Sequence, residues 1–140
     1  MEASARENKI IAVDPGTEKF GVAVLDYSGK VITKSVILKM KFPEIIGDLI
    51  LRYKPKILVT GDGTGSDWTF GVLSSLRTGE VIRSSERKTT LDARELAWKE
   101  NPPAGIFKIL PKIFWPTPPD LDSWAAVVIA RRALEEKGIL

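Results

Sequence analysis

The sequence predicts an α/β domain with a five-stranded mixed sheet and helices packed on it. Two observations carry this prediction. Three apolar runs with short turns between them, at 9–14, 20–26 and 31–38, are typical of an antiparallel meander. Two later apolar runs, at 56–60 and 80–84, alternate with stretches of helical apolar spacing. That alternation predicts two further strands that run parallel to the first one.

The chain length predicts one domain. The 140 residues fall inside the usual single-domain range of roughly 100–200 residues. The polar residues 1–8, of mixed charge, are expected to form a flexible tail, and residues 9–140 a single domain. Residues 1–8 lack the apolar stretch of a secretory signal, and no run of about 18 apolar residues occurs, so we expect a cytoplasmic protein with no membrane partner.

The spacing predicts four helices. Pro43 suits a first helical turn, and apolar residues then recur at helical spacing until about Lys54. A weaker pattern covers 67–76, because Gly71 interrupts it. Thr89 and Asp92 have the spacing of a capping box, which predicts a helix to about residue 99. The last helix is expected over 121–137, before a glycine.

Residues 101–120 are rich in proline and hold Phe107, Phe114 and Trp115 between the prolines. Long loops in compact domains tend to be functional lids or binding loops. The alternative is a stiff connector whose aromatic side chains belong to the core.

Composition restricts the chemistry. The chain has no cysteine and no histidine, which excludes thiolate zinc sites, a cysteine nucleophile and an imidazole base. Carboxylates, lysines, hydroxyls or a bound ion must therefore carry any reaction, and carboxylate oxygens suit Mg²⁺ or Mn²⁺. The net charge is only +3, but the segment 28–56 has a local excess of lysine and arginine. Such an excess can contact a phosphate backbone, although an ordinary solvated surface explains most of it equally well.

Acidic residues follow the predicted strands. Asp14 ends the first strand, Asp62 follows the fourth and Glu86 follows the fifth. In sheets of this kind the reactive crevice lies beyond the carboxyl ends of the parallel strands. Each acid also has an ordinary explanation, since Asp14 and Asp62 suit turns and Glu86 can pair with Arg87 at the surface. Asp120 or Asp122 can simply cap the last helix.

Three stretches together resemble the RuvC/YqgF branch of the ribonuclease H-like superfamily, and the YqgF (RuvX) group most of all. The stretch Ile11-Ala-Val-Asp14-Pro-Gly-Thr-Glu-Lys-Phe-Gly21-Val-Ala-Val resembles the family's opening hairpin. Ser85-Glu86-Arg87-Lys-Thr-Thr90 is similar to its Asp-Glu-Arg segment, and Leu121-Asp122-Ser-Trp-Ala-Ala-Val-Val to its last helix. Proteins of this group are described as Holliday junction resolvase-like and as nucleases for pre-16S rRNA.

The resemblance implies a ribonuclease H-like fold and a metal-dependent nuclease. Its acidic residues carry over as Asp14, Glu86 and Asp122, which would hold two Mg²⁺ or Mn²⁺ ions, with Asp14 between them. Asp62 or Asp120 would be a supplementary ligand, and Asp62 lies where RuvC-type resolvases carry their second carboxylate. The expected partner is nucleic acid, either branched DNA or an rRNA precursor, and a homodimer is left open.

Hydroxyl, basic and aromatic side chains near these motifs are candidates for nucleic-acid contacts. They are Thr17, Lys19, Arg87, Lys88, Thr89, Thr90, Arg94 and Trp115. For Trp115, Phe114 and Trp68, stacking on unpaired bases competes with simple core packing. Three departures from the family pattern concern this region: Glu18 replaces a basic residue, Ser85 replaces an aspartate, and the segment 61–65 replaces Gly-Leu-Pro.

Two other functions remain open from the sequence. One is a non-catalytic nucleic-acid-binding module on the same scaffold, which the departures favour. The other is an ATP-binding module of the actin/sugar-kinase type, because an Asp-x-Gly-Thr turn between two strands also serves as a phosphate loop there. The chain length counts against the second, since that fold joins two such domains around the nucleotide.

Overall fold

The computed structural model describes residues 2–76, 78–85 and 89–140. Its five strands form one sheet in the order β3-β2-β1-β4-β5. The strands are β1 (Lys9–Asp14), β2 (Lys19–Asp26), β3 (Val31–Leu38), β4 (Ile57–Gly61) and β5 (Glu80–Ser84). The helices are α1 (Glu2–Glu7), α2 (Phe42–Tyr53), α3 (Ser66–Ser75), α4 (Thr89–Glu100) and α5 (Leu121–Glu136).

The strand directions confirm the predicted mixed sheet. β1 pairs antiparallel with β2, and β2 antiparallel with β3, so the first three strands form a meander. β4 pairs parallel with β1, and β5 parallel with β4. The central strand β1 therefore has an antiparallel neighbour on one side and a parallel neighbour on the other.

Helices cover both faces of the sheet. Every residue of β1 from Ile10 to Val13 is apolar and fully buried, so this strand contributes to the core on both faces. Successive side chains of a strand point to opposite faces. Ile10 and Ala12 belong to the core beneath α4 and α5, whereas Ile11 and Val13 belong to the core beneath α2 and α3. Helix α5 is the most buried helix and contacts β1 and β2 along much of its length.

Two segments have more regular structure than the sequence predicts. The expected flexible tail contains α1, because the backbone amide of Tyr27 donates to the carbonyls of Ala5 and Asn8 and ties this segment to the sheet. The proline-rich loop contains two short 3₁₀ helices, Gly105–Ile109 and Lys112–Phe114. Within the part of the chain that the structure describes, no helix has the length and apolar character needed to span a membrane.

Candidate functional site

The carboxyl ends of the three parallel strands lie side by side. The β1–β4 ladder ends with the pair Val13 and Thr60, so Asp14 and Gly61 are the next residues along it. Gly61 in turn is paired with Ser84, the last residue of β5. On the other side, Asp14 is paired with Gly21 of β2. A row of four residues therefore crosses one end of the sheet in the order Gly21, Asp14, Gly61 and Ser84.

The polar members of this row share one face of the sheet. Asp14 continues the alternation of Ile10 and Ala12, whose side chains lie beneath α5. Ser84 continues from Ile82, which packs against the same core cluster. The two glycines between and beside them add no side chain. The face beneath α5 therefore carries polar side chains at this end of the sheet and apolar side chains further down.

Helix α5 begins directly over this row. A Cβ atom on Gly21 would lie 1.7 Å from the backbone carbonyl oxygen of Asp122 and 3.0 Å from the amide nitrogen of Ser123. Only glycine permits so close an approach. Since directly opposite residues of antiparallel strands have Cα atoms about 5 Å apart, the first turn of α5 lies close to Asp14. Asp14 and Asp122, which are half-buried, are thus brought to the same end of the sheet.

Lys34 of β3 anchors this first turn. Its Nζ donates to Asp120 Oδ2 at 2.6 Å and to Ser123 Oγ at 3.2 Å, and it lies 4.3 Å from the ring centre of Trp124. The Ser123 hydroxyl donates to the Asp120 carbonyl at 2.7 Å. Burial tends to raise the pKa of Asp120, but the hydrogen bond and charge of Lys34 outweigh burial and hold that pKa below its ordinary value.

The five predicted metal ligands lie in different settings in the structure. The backbones of Asp14 and Asp122 lie at the same end of the sheet, and the exposed Asp62 follows β4 at that end. Asp120 lies two residues before Asp122, and its carboxylate is paired with Lys34. Glu86 lies outside the described residues. Among those that are described, no group of three or more acidic side chains is arranged to hold a metal ion.

Ser84 is a site residue that the sequence analysis misses. Its side chain is 2% exposed, and its Oγ has no hydrogen-bond partner among the described residues. A buried hydroxyl without a partner costs about 1–3 kcal/mol. A serine at the end of a strand gives no such signal in the sequence, because serine is common there on the surface. Only the pairing of β5 with β4 shows that it lies on the same face of the sheet as Asp14.

A groove of about 540 Å³ opens beside the β1–β2 turn. The residues lining it are Thr17, Glu18, Leu38, Lys39, Met40, Pro43 and Trp68. Lys39 Nζ lies 4.9 Å from the ring centre of Trp68, and Trp68 packs on Phe20 and Phe42 while 39% of it stays exposed. The groove thus combines an aromatic surface with a lysine, and Lys39 is a further contact residue that the motifs did not single out.

The other predicted nucleic-acid contacts lie in different settings. Lys19 and Thr90 are exposed, and Thr89 is buried with its hydroxyl accepting from Arg132 at 2.7 Å. Arg94 is half-buried and its Nε has no partner among the described residues. Trp115 packs edge-on against Trp98 and donates to the carbonyl of Leu110, which favours packing over base stacking. Arg87 and Lys88 lie outside the described residues.

Solved structures of RuvC have a fold similar to that of this chain. The RuvC structure from Thermus thermophilus superposes with a TM-score of 0.58 at 13% sequence identity, covering 91% of this chain and 96% of that one. The T. thermophilus RuvC in complex with its Holliday junction substrate gives a TM-score of 0.59 at 11% identity, covering 94% and 96%. The fold is ribonuclease H-like. No protein-family model and no curated protein matches the sequence.

The residues at this end of the sheet fit a hard divalent cation. Their donors are oxygens of Asp14 and Asp122, which Mg²⁺ and Mn²⁺ prefer over nitrogen or sulfur. The buried hydroxyl of Ser84 adds a polar atom whose hydrogen-bonding capacity is still unused among the described residues. Asp14 and Asp122 are the described residues that would hold such a cation.

Proposed function

We propose that the protein is a divalent-metal-dependent nuclease that hydrolyses phosphodiester bonds in structured nucleic acid. The observation that carries the proposal is the contact between the Asp122 backbone and Gly21, which lies opposite Asp14 in the sheet. This contact brings two acids from opposite ends of the chain to the carboxyl end of the central strand. The ribonuclease H-like fold shared with RuvC supports the same assignment.

In this proposal Asp14, Glu86 and Asp122 would hold two divalent ions. Asp62 would be a supplementary ligand, and Asp120 contributes mainly by its bond to Lys34. When bound, such ions would supply an activated water and stabilise the leaving oxygen. The chain's own residues fix the acids in place and bind the backbone of the substrate, for which Thr17 and Lys39 in the Trp68 groove and the exposed Lys19 at the start of β2 are the candidates.

The substrate in this proposal is branched DNA or a precursor of rRNA. The resemblance of three motifs to those of the YqgF group supports the rRNA precursor, and the RuvC-like fold supports a four-way junction. The Trp68 groove suits a base that has left its stack, because an aromatic face and a nearby lysine together bind single-stranded segments.

The test is cleavage of a four-way DNA junction and of a structured rRNA precursor in Mg²⁺ or Mn²⁺. We expect Asp14→Asn to lower the cleavage rate by at least about 100-fold, because it removes a charged ligand. Asp48→Asn, on the exposed side of α2, is the matched control and should cleave at the normal rate. Equal rates for Asp14→Asn and the unaltered protein would refute the proposed site.

A second candidate is a nucleic-acid-binding module without catalysis. The engagement of the Asp120 carboxylate by Lys34 favours it, because this pairing occupies one of the predicted metal ligands. It predicts binding that weakens steeply with salt and no cleavage in any divalent cation. The same experiment, run with a binding measurement beside it, separates the two functions.

A further inference from the structure

The buried hydroxyl of Ser84 has the position and the unmet hydrogen bond of a ligand-binding group. It is the last residue of β5, and its neighbour in the sheet is Gly61. Its Oγ is inaccessible to bulk water and lacks a partner among the described residues. Folding would favour alanine here if nothing bound the hydroxyl, because alanine has the same shape without the cost of an unpaired oxygen.

The direction of the side chain follows from the strand alternation. Ser84 lies two residues after Ile82, on the face beneath α5, and Asp14 lies on that same face. Gly61 separates the two and adds no side chain between them. The hydroxyl and the carboxylate therefore lie on the same face of the sheet, with the width of one strand, at Gly61, between them.

The distance between Asp14 and Ser84 restricts the kind of ligand that both side chains can contact. Neighbouring strands are about 4.8 Å apart, so the backbones of Asp14 and Ser84 are separated by about 10 Å. Direct bonds from both side chains to one ion of about 2.1 Å bond length would need them to lean toward each other across Gly61. A hydrated cation needs no such shift, and Mg²⁺ commonly keeps several of its waters when bound by carboxylates.

We infer that Ser84 binds the hydration shell of the divalent cation held by Asp14. The inference rests on the proposed function for the cation itself, and it adds a hydrogen-bonding residue on β5 that none of the acidic motifs includes. In this role Ser84 is a positioning residue, because it touches the water shell of the cation and makes no bond to the reacting phosphate.

The test is a calorimetric titration of the full chain with Mn²⁺ alone, followed by unfolding of each variant in urea. We expect Ser84→Ala to weaken Mn²⁺ binding by about 10-fold, as losses of outer hydrogen-bond partners commonly do. Its unfolding midpoint without metal should be unchanged or higher, because an unpaired hydroxyl has been removed.

Thr60→Val is the matched control. Thr60 is a fully buried hydroxyl one residue before Gly61, but its side chain lies on the opposite face and its Oγ1 donates to the Gly61 carbonyl at 3.1 Å. We expect this variant to lose stability and to keep its affinity for Mn²⁺. Asp14→Asn, measured beside it, should lose the binding.

The outcomes separate the inference from the proposed function. Normal Mn²⁺ affinity in Ser84→Ala, together with lost binding in Asp14→Asn, would overturn the role of Ser84 and leave the metal site standing. No binding to the unaltered protein, or unchanged binding in Asp14→Asn, would overturn the proposed site and the role of Ser84 with it. An equal loss in Ser84→Ala and Thr60→Val would also count against Ser84, because any buried hydroxyl near the strand end would then matter alike.

Discussion

The two ends of the sheet differ in how they use polar groups. At the end where β1 begins, Asp26 accepts from the backbone amides of Ser28 and Lys30 and from the Ser28 hydroxyl, and Lys137 pairs with Glu80 at 2.8 Å. At the opposite end, glycines flank Asp14, and Ser84 is buried without a partner among the described residues. The first end satisfies a buried carboxylate with local partners, whereas the second buries a hydroxyl that has none among the described residues.

This difference agrees with the proposed function, in which the second end binds a cation. Turns and ion pairs that satisfy their own polar groups stabilise the fold and need nothing from solution. A buried hydroxyl without a hydrogen-bond partner is suboptimal for stability alone. Proteins commonly accept such a cost at functional sites.

The largest expected effect comes from filling the space at Gly21. Gly21→Ala places a Cβ atom against the Asp122 carbonyl, so either α5 or β2 must shift. We expect a loss of about 3 kcal/mol or more in the free energy of unfolding, at the upper end of the range for overpacked cores. Urea denaturation measures it.

Gly47→Ala is the control for that change. Gly47 lies within α2, and no atom lies within 4 Å of a Cβ placed there. We expect a gain of about 0.5–1 kcal/mol, because alanine is the better helix former. A Gly21→Ala protein as stable as the unaltered chain would show that α5 does not rest on Gly21 as described.

A smaller effect is expected from the two lysines that hold the ends of α5. Lys34→Met removes a half-buried ion pair and a hydrogen bond to the buried Ser123, so we expect a loss of about 1–2 kcal/mol. Lys137→Met removes only the pair with Glu80, whose carboxylate is mostly exposed, and should cost less than about 1 kcal/mol.

The lysine comparison also has a readout at the candidate site. Because Lys34 holds the turn that carries Asp122, Lys34→Met should weaken Mn²⁺ binding, whereas Lys137→Met should leave it unchanged. Titration calorimetry on the folded variants checks this. Equal Mn²⁺ affinities in the two variants would show that the anchoring of α5 by Lys34 does not affect the metal site.

The smallest effect is a change of stability with pH. The pKa of Asp120 is lowered by Lys34, and the pKa of Asp26 is lowered by its bonds to Ser28 and Lys30, which outweigh burial in both cases. A carboxyl whose pKa is lower in the folded state stabilises the fold above its unfolded pKa, and that contribution is lost as pH falls through the folded pKa. We therefore expect little change in the unfolding free energy between pH 7 and 5 and a decline below about pH 4.

Lys34→Met sharpens the pH comparison. It removes the partner that lowers the Asp120 pKa but leaves Asp26 unaffected, so the decline below pH 4 should become shallower without vanishing. Unfolding curves at pH 7, 5 and 3 for both proteins measure this. A decline as steep in Lys34→Met as in the unaltered chain would mean that the Lys34–Asp120 pair contributes nothing to stability.

Much of the fold could be predicted from the sequence because its signals are local. The apolar run before Asp14, the helical spacing after Pro43 and the breaks at glycine and proline each mark an element without reference to distant residues. The parallel placement of β4 followed from the helix between the strands. Helix α1 was missed because its attachment depends on the amide of Tyr27, which no pattern within residues 1–8 reveals.

The candidate site could be predicted only in part. Asp14 and Asp122 stand out because they occur in motifs, and the structure brings them to one end of the sheet. The pairing of Asp120 with Lys34 and the burial of Ser84 depend on contacts between distant parts of the chain. Sequence spacing carries no information about which lysine will reach which carboxylate.

The most direct test of the central claim is a crystal structure of the chain soaked in Mn²⁺, with the anomalous signal of manganese used to locate the ion. The account predicts a peak bonded to an Asp14 carboxylate oxygen, at the end of the sheet where α5 begins over Gly21, and no peak there in Asp14→Asn crystals. A well-ordered crystal with no manganese near Asp14, or with manganese only at surface carboxylates such as Glu44 and Asp48, would contradict it.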